Sequence, residues 1–133
     1  MRVFTCSILA LACLVPCAAQ AQAPDWSHAR TIEVELSNFS FTPSTLDLEH
    51  GVPYLLHLTN SASGGHDFSA KELFAASTVA PQDRDRIKDG RIELDGHESA
   101  DVRLIPTKPG AYKIRCTHFM HSAFGMTGTV TVK

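Results

Sequence analysis

Between residues 31 and 132 apolar and polar side chains repeatedly alternate one for one, and turn-forming residues cut the alternation into short runs. A period of two places every second side chain on the same face of an extended strand, so each run is a strand with one buried and one wet face. Ile32, Val34 and Leu36 alternate with Glu33, Glu35 and Ser37, which predicts a strand over 31–41 with the glutamates in solvent. Leu46 and Leu48 carry the pattern through 44–49, and His50-Gly51-Val52-Pro53 turns the chain into a strand over 54–59. Further strands are expected around Ile92 and Leu94, around Val102 and Leu104, along Tyr112, Ile114 and Cys116, and over 128–132. Some seven strands at this spacing predict an all-β domain, a β-sandwich. Only 69–89 breaks the period: helix formers at 71–76, then Pro81 and the charged run 82–88, predict a short helical insertion between strands.

The amino terminus follows another rule. Arg2, an uncharged apolar stretch over 3–15 and the small residues of Ala19-Gln20-Ala21 and Ala21-Gln22-Ala23 have the layout of a secretory signal peptide. Residues 1–23 are therefore expected to be cleaved, leaving a domain over 24–133 in the periplasm. Cys17 offers a rival lipoprotein reading, weakened by Pro16 where a small residue is wanted. The apolar stretch is shorter than the roughly 20 residues of a membrane-spanning helix, and no later segment approaches that length, so no membrane span is expected. A net charge of −2 argues against a basic stripe of the kind that nucleic acid or anionic lipid requires, and neither is expected as the main partner.

Cleavage would remove Cys6, Cys13 and Cys17 and leave Cys116 as the one thiol. A lone thiol in an oxidising compartment is inertly buried, bridged between chains, catalytic or bound to metal. Its neighbourhood bears on the choice. Cys116, His121 and Met126 follow one another at five-residue steps in a single loop, and His66 arrives from a distant turn after Ser63-Gly64-Gly65. Two imidazoles, a thiolate and a thioether are the donor set of blue-copper electron-transfer sites, and soft sulfur selects copper over hard cations. Each residue also has a plain rival role: Cys116 as a core thiol, His66 as a surface histidine, Met126 as a core filler. His118 and Met120 share the loop; His118 is read as a partly exposed neighbour of the site. His28, His50, His57 and His97 are read as ordinary surface or packed histidines.

These residues resemble the small cupredoxins, the class that includes azurin, rusticyanin and plantacyanin. The Cys-x4-His-x4-Met spacing is similar to that of plantacyanin and rusticyanin, and the likeness extends through Phe41-Thr42-Pro43, Gly51, Asn60, His66, Pro109-Gly110-Ala111-Tyr112 and 128–132. The resemblance implies a Greek-key β-sandwich of about seven to eight strands holding one type 1 copper ion. His66, Cys116 and His121 would be its equatorial ligands and Met126 its axial one, with the Gly65 carbonyl nearby. Where the family often has Asn after the first histidine, this chain has Asp67, expected to accept a hydrogen bond from Thr117. The function implied is that of a monomeric, periplasmic one-electron carrier, not an enzyme, which meets a redox partner protein transiently. His121 would be the electron's exit, within an apolar patch of Phe119, Ala123 and Phe124. Copper buffering or delivery by the same ligands is the alternative, and a metal-free immunoglobulin-like interaction module the third. A Cys-His hydrolase would need an orienting group and an oxyanion hole.

Overall fold

The computed structural model describes residues 21–133; the expected signal segment up to residue 20, with Cys6, Cys13 and Cys17, lies outside the described residues. After a 3-10 turn at Trp26–His28, ten strands form two five-stranded sheets. In chain order they are β1 (Arg30–Ser37), β2 (Ser40–Thr42), β3 (Thr45–Leu48), β4 (Tyr54–Asn60), β5 (His66–Ser69), β6 (Ser77–Val79), β7 (Arg91–Leu94), β8 (Ser99–Pro106), β9 (Gly110–Arg115) and β10 (Thr127–Val132). One sheet has the order β2-β1-β4-β8-β6 and the other β3-β10-β9-β5-β7. β1 runs parallel to β4 and β3 parallel to β10; the remaining pairs are antiparallel.

The alternation read from the sequence decides which faces meet. Val34, Leu36, Leu56, Leu58, Val102 and Leu104 of the first sheet join Leu46, Leu48, Phe68, Ile92, Leu94, Ile114, Val130 and Val132 of the second in one core. Phe41 and Phe68 meet edge to face across it, ring centroids 5.8 Å apart. Burial of each large apolar side chain contributes about 1.5–3 kcal/mol, so the core rests on many comparable contributions.

Three strands exceed the expected number, each for a local reason. The run expected as one strand over 31–41 breaks at Asn38 and Phe39, where a two-residue hairpin turn sets Phe39 at φ 63° and returns the chain as β2. The His66 segment pairs with β7 along its whole length, from His66 opposite Leu94 to Ser69 opposite Arg91. The insertion holds a short helix, α1 (Lys71–Ala75), and a 3-10 turn at Pro81–Arg86, as expected, but also β6, which pairs with the end of β8. The buried Asp83 carboxylate ties that turn to β8, accepting from the Arg103 backbone at 2.9 Å and from its guanidinium at 2.9 and 3.2 Å. Among the described residues, no helix is long and apolar enough to cross a membrane.

Candidate metal centre

Cys116 lies directly after β9, and its position follows from the strand's alternation. Lys113 and Arg115 are exposed while Ile114 and Cys116 point into the core, with Cys116 fully buried. The chain then loops from 116 to 126 and returns as β10. The loop is closed by its own backbone: Cys116 N–H donates to the Met126 carbonyl at 3.1 Å, Met126 N–H to His121 at 3.0 Å, and His121 N–H to His118 at 3.1 Å. Met120 at φ 64° and Gly125 at φ 101° make the tight turns. This network holds the cysteine, the histidine and the fully buried Met126 in one compact unit.

His66 reaches the unit from the other side. Asn60 shapes the turn before it: its side chain donates to the carbonyls of Gly64 at 2.8 Å and Asp95 at 2.9 Å, and accepts from Ala62 N–H at 3.0 Å. The turn leads directly into β5, whose first residue is His66, 2% exposed.

Three of the four expected ligands therefore meet. His66 Nδ1 lies 3.1 Å from His121 Nδ1 and 3.9 Å from Cys116 Sγ, and Cys116 Sγ lies 3.4 Å from His121 Nδ1. A point equidistant from these three atoms is about 2 Å from each, which is the reach of nitrogen and sulfur ligands to a first-row transition metal. Nε2 of His66 is buried without a protein partner, so Nδ1 is the edge by which this imidazole interacts. Met126 is fully buried and is held in the same loop by backbone bonds to Cys116 and His121. The histidine, cysteine and methionine groups fit one copper ion.

The electrostatics suit a metal better than free side chains. Burial, and then the neighbouring His121, hold the His66 imidazole below its ordinary value, which favours the neutral form that coordinates. Burial pushes the Cys116 thiol up, opposed by backbone hydrogen bonds from Asp67 and His118. A cation at the cluster is what would draw the thiol to thiolate.

The expected Asp67–Thr117 link is present and is stronger than a single bond. Thr117 N–H donates to the two carboxylate oxygens of Asp67 at 3.0 and 3.1 Å, and the Thr117 hydroxyl donates to the same carboxylate. Asp67 N–H in turn donates to Cys116 Sγ at 3.5 Å. One buried aspartate thus ties β5 to the ligand loop.

Around His121 the surface is apolar. Phe119 and Phe124 are 89% and 62% exposed, Ala123 is exposed, and His121 itself is half-buried. Sequence reasoning missed Phe39: the hairpin between β1 and β2 carries its ring edge-on to His121 at 5.2 Å and to Phe124 at 5.3 Å. Its only signal was the polar Ser37-Asn38 pair inside an apparent strand. Glu93 was missed too; it binds His118 Nε2 at 2.6 Å and holds that half-buried ring stacked on His121, centroids 5.4 Å apart. His57 bonds Asp101 and His28 bonds Asp25, away from any shared cluster with the ligand set.

The cupredoxin-like domain family matches residues 7–132 of the chain. Among solved structures, a dithionite-reduced auracyanin from the photosynthetic bacterium Roseiflexus castenholzii is 23% identical, with a TM-score of 0.59 over 79% of this chain and 98% of its own. Auracyanin A, described as a "blue" copper protein from Chloroflexus aurantiacus, is 16% identical, with a TM-score of 0.52 over 77% of this chain and 99% of its own. A multicopper oxidase from Campylobacter jejuni is 13% identical, with a TM-score of 0.58 over 87% of this chain but 31% of its own. At these identities the likeness is one of fold. No curated protein matches the sequence.

Proposed function

The chain belongs to the cupredoxin-like domain family, and on that premise we propose that it is an exported, periplasmic one-electron carrier, not an enzyme. The observation that carries this reading is the convergence of Cys116 Sγ, His66 Nδ1 and His121 Nδ1 within 3.9 Å of one another. His66, Cys116, His121 and Met126 would hold the copper ion. Bound copper would supply reversible Cu(II)/Cu(I) chemistry there.

The protein's own contribution is to hold its donors still and the site dry. Cys116 is fixed by its own N–H bond to Met126 and by the Asp67 N–H on its sulfur; His66 is fixed by β5 and the Asn60-braced turn. Donors that keep their places in both oxidation states need little reorganisation, which favours fast transfer. His121 presents its ring among Phe39, Phe119 and Phe124, a surface suited to brief contact with a redox partner.

Adding Cu(II) to the purified domain tests the site. An intense thiolate-to-copper absorption is expected with wild type and none with Cys116→Ala; a colourless wild-type product rejects the reading. Copper delivery is the second reading, favoured by Met120, a soft donor that is 45% exposed beside the ligand loop. A carrier retains Cu(I) against a mild Cu(I) chelator, whereas a delivery protein yields it.

A further inference from the structure

The outer face of the sheet at β9, β5 and β7 carries a concentration of positive charge that runs against the chain's net charge of −2. Ser69 pairs with Arg91 on one side and with Arg115 on the other, so the two arginines stand abreast on the strands that flank β5, with the small serine between them. Lys113 lies two residues before Arg115 on the same face of β9, and Lys71 begins α1 just beyond β5. Gly90 brings that lysine in: a Cβ at Gly90 would lie 2.7 Å from Lys71 Cα, so the close approach depends on glycine. These four cations, with Glu72, Asp89 and Thr117, line an open groove of about 420 Å3. All four are exposed, and among the described residues none forms a salt bridge.

Through Thr117 the groove touches the metal centre's own supports. Arg91 Nη1 donates to the Thr117 hydroxyl at 3.4 Å, the Thr117 hydroxyl donates to Asp67, and Thr117 is bonded covalently to Cys116. A partner seated in the groove therefore sits one residue from the thiolate. It is distinct from the phenylalanine patch at His121, which belongs to the loop tip.

We propose that this groove is the docking site for an acidic surface segment of the redox partner protein. The inference rests on the electron-carrier reading for the partner's role, while the groove's charge stands apart from it. Unpaired like charges gathered along one cleft attract an oppositely charged partner, raise its encounter rate and fix its orientation. The cations, placed on β7, on β9 and at the start of α1 around Ser69 of β5, suit carboxylates presented at intervals along a peptide. Electrons would then leave by way of Thr117 and Cys116 as well as through the His121 edge.

The test pairs two probes with two variants of the copper-loaded protein. Lys71→Glu/Lys113→Glu reverses the groove without touching a residue of the centre; Lys108→Glu/Lys133→Glu makes the same charge change at the far end of β9 and β10. A hexaglutamate peptide, titrated into the Cu(I) form and followed by amide chemical shifts, is expected to move residues 69, 71, 91, 113, 115 and 117. That response is lost in the groove variant and kept in the control. Oxidation of the Cu(I) form by hexacyanoferrate(III), one electron passing from copper to iron with no proton moved, is expected to slow about tenfold in the groove variant. It changes much less in the control, and with the cationic tris(phenanthroline)cobalt(III) the groove variant is not slowed. Shifts scattered over the surface or centred on Phe119 and Phe124, equal slowing in both variants, or a response to hexacyanoferrate without one to the peptide would each overturn the proposal. The peptide shifts read docking even if copper proves to be cargo, and the visible band reads the centre, so the two failures are distinguishable.

Discussion

The Asp67 carboxylate is fully buried, yet the hydrogen bonds it accepts come from one residue, Thr117, and its own N–H points at Cys116 Sγ. A negative charge placed there favours the more positive of two metal oxidation states and lowers the potential. Asp67→Asn keeps the shape and removes the charge. The expected outcome in a redox titration is a rise of roughly 50–150 mV, the size of one unit charge a few ångströms away at effective dielectrics of about 20–50; no change or a fall would reject the assignment. At this scale the sequence was readable where chemistry is local. Residue types and spacing singled out Cys116, His121 and His66, and the Asp67–Thr117 bond was implied by the resemblance to the small cupredoxins. Phe39 and Glu93 were unreadable because their roles depend on which segments fold against the loop, a property of tertiary contact and not of spacing.

The loop from 116 to 126 behaves as one element because its backbone closes on itself, and Gly125 is the residue that lets it do so. At φ 101° it occupies a conformation that side chains with a Cβ rarely adopt, although nothing lies within 4 Å of a Cβ built there. Gly125→Ala therefore acts through backbone strain alone and is expected to cost about 1–3 kcal/mol. Denaturant melts of the apoprotein measure the cost, and the absorption of the copper form should broaden as Met126 and His121 lose a shared frame. The same scale explains the miscounted strands. β6 is three residues long and has no alternation of its own; it exists because β8 offers an edge and Asp83 fastens the neighbouring turn to Arg103. The helical character at 71–76 was legible from residue type, since Lys71, Glu72 and Leu73 have high intrinsic helix propensity, and burial of Leu73 and Phe74 holds the short helix in place.

Across the whole molecule, one core serves both sheets and the metal centre. Phe68 is fully buried, two residues after His66, with Phe41 and Phe74 around its ring. Phe68→Ala is expected to lower unfolding free energy by about 3–5 kcal/mol in chemical denaturation, and to weaken copper retention with it, because β5 carries both side chains. The two-sheet plan was visible in the period-two pattern, which marks inward faces; strand order was not, because alternation says nothing about neighbours. That order sets a timetable. His66 lies on β5, whereas the other donors lie on the last hairpin, and β10 must find β3, more than eighty residues earlier in the chain, to complete its sheet. His66 cannot meet the other three donors until the last hairpin has docked. During refolding with copper present, blue colour should thus emerge last, as a clock that starts only when the carboxyl-terminal strand is home.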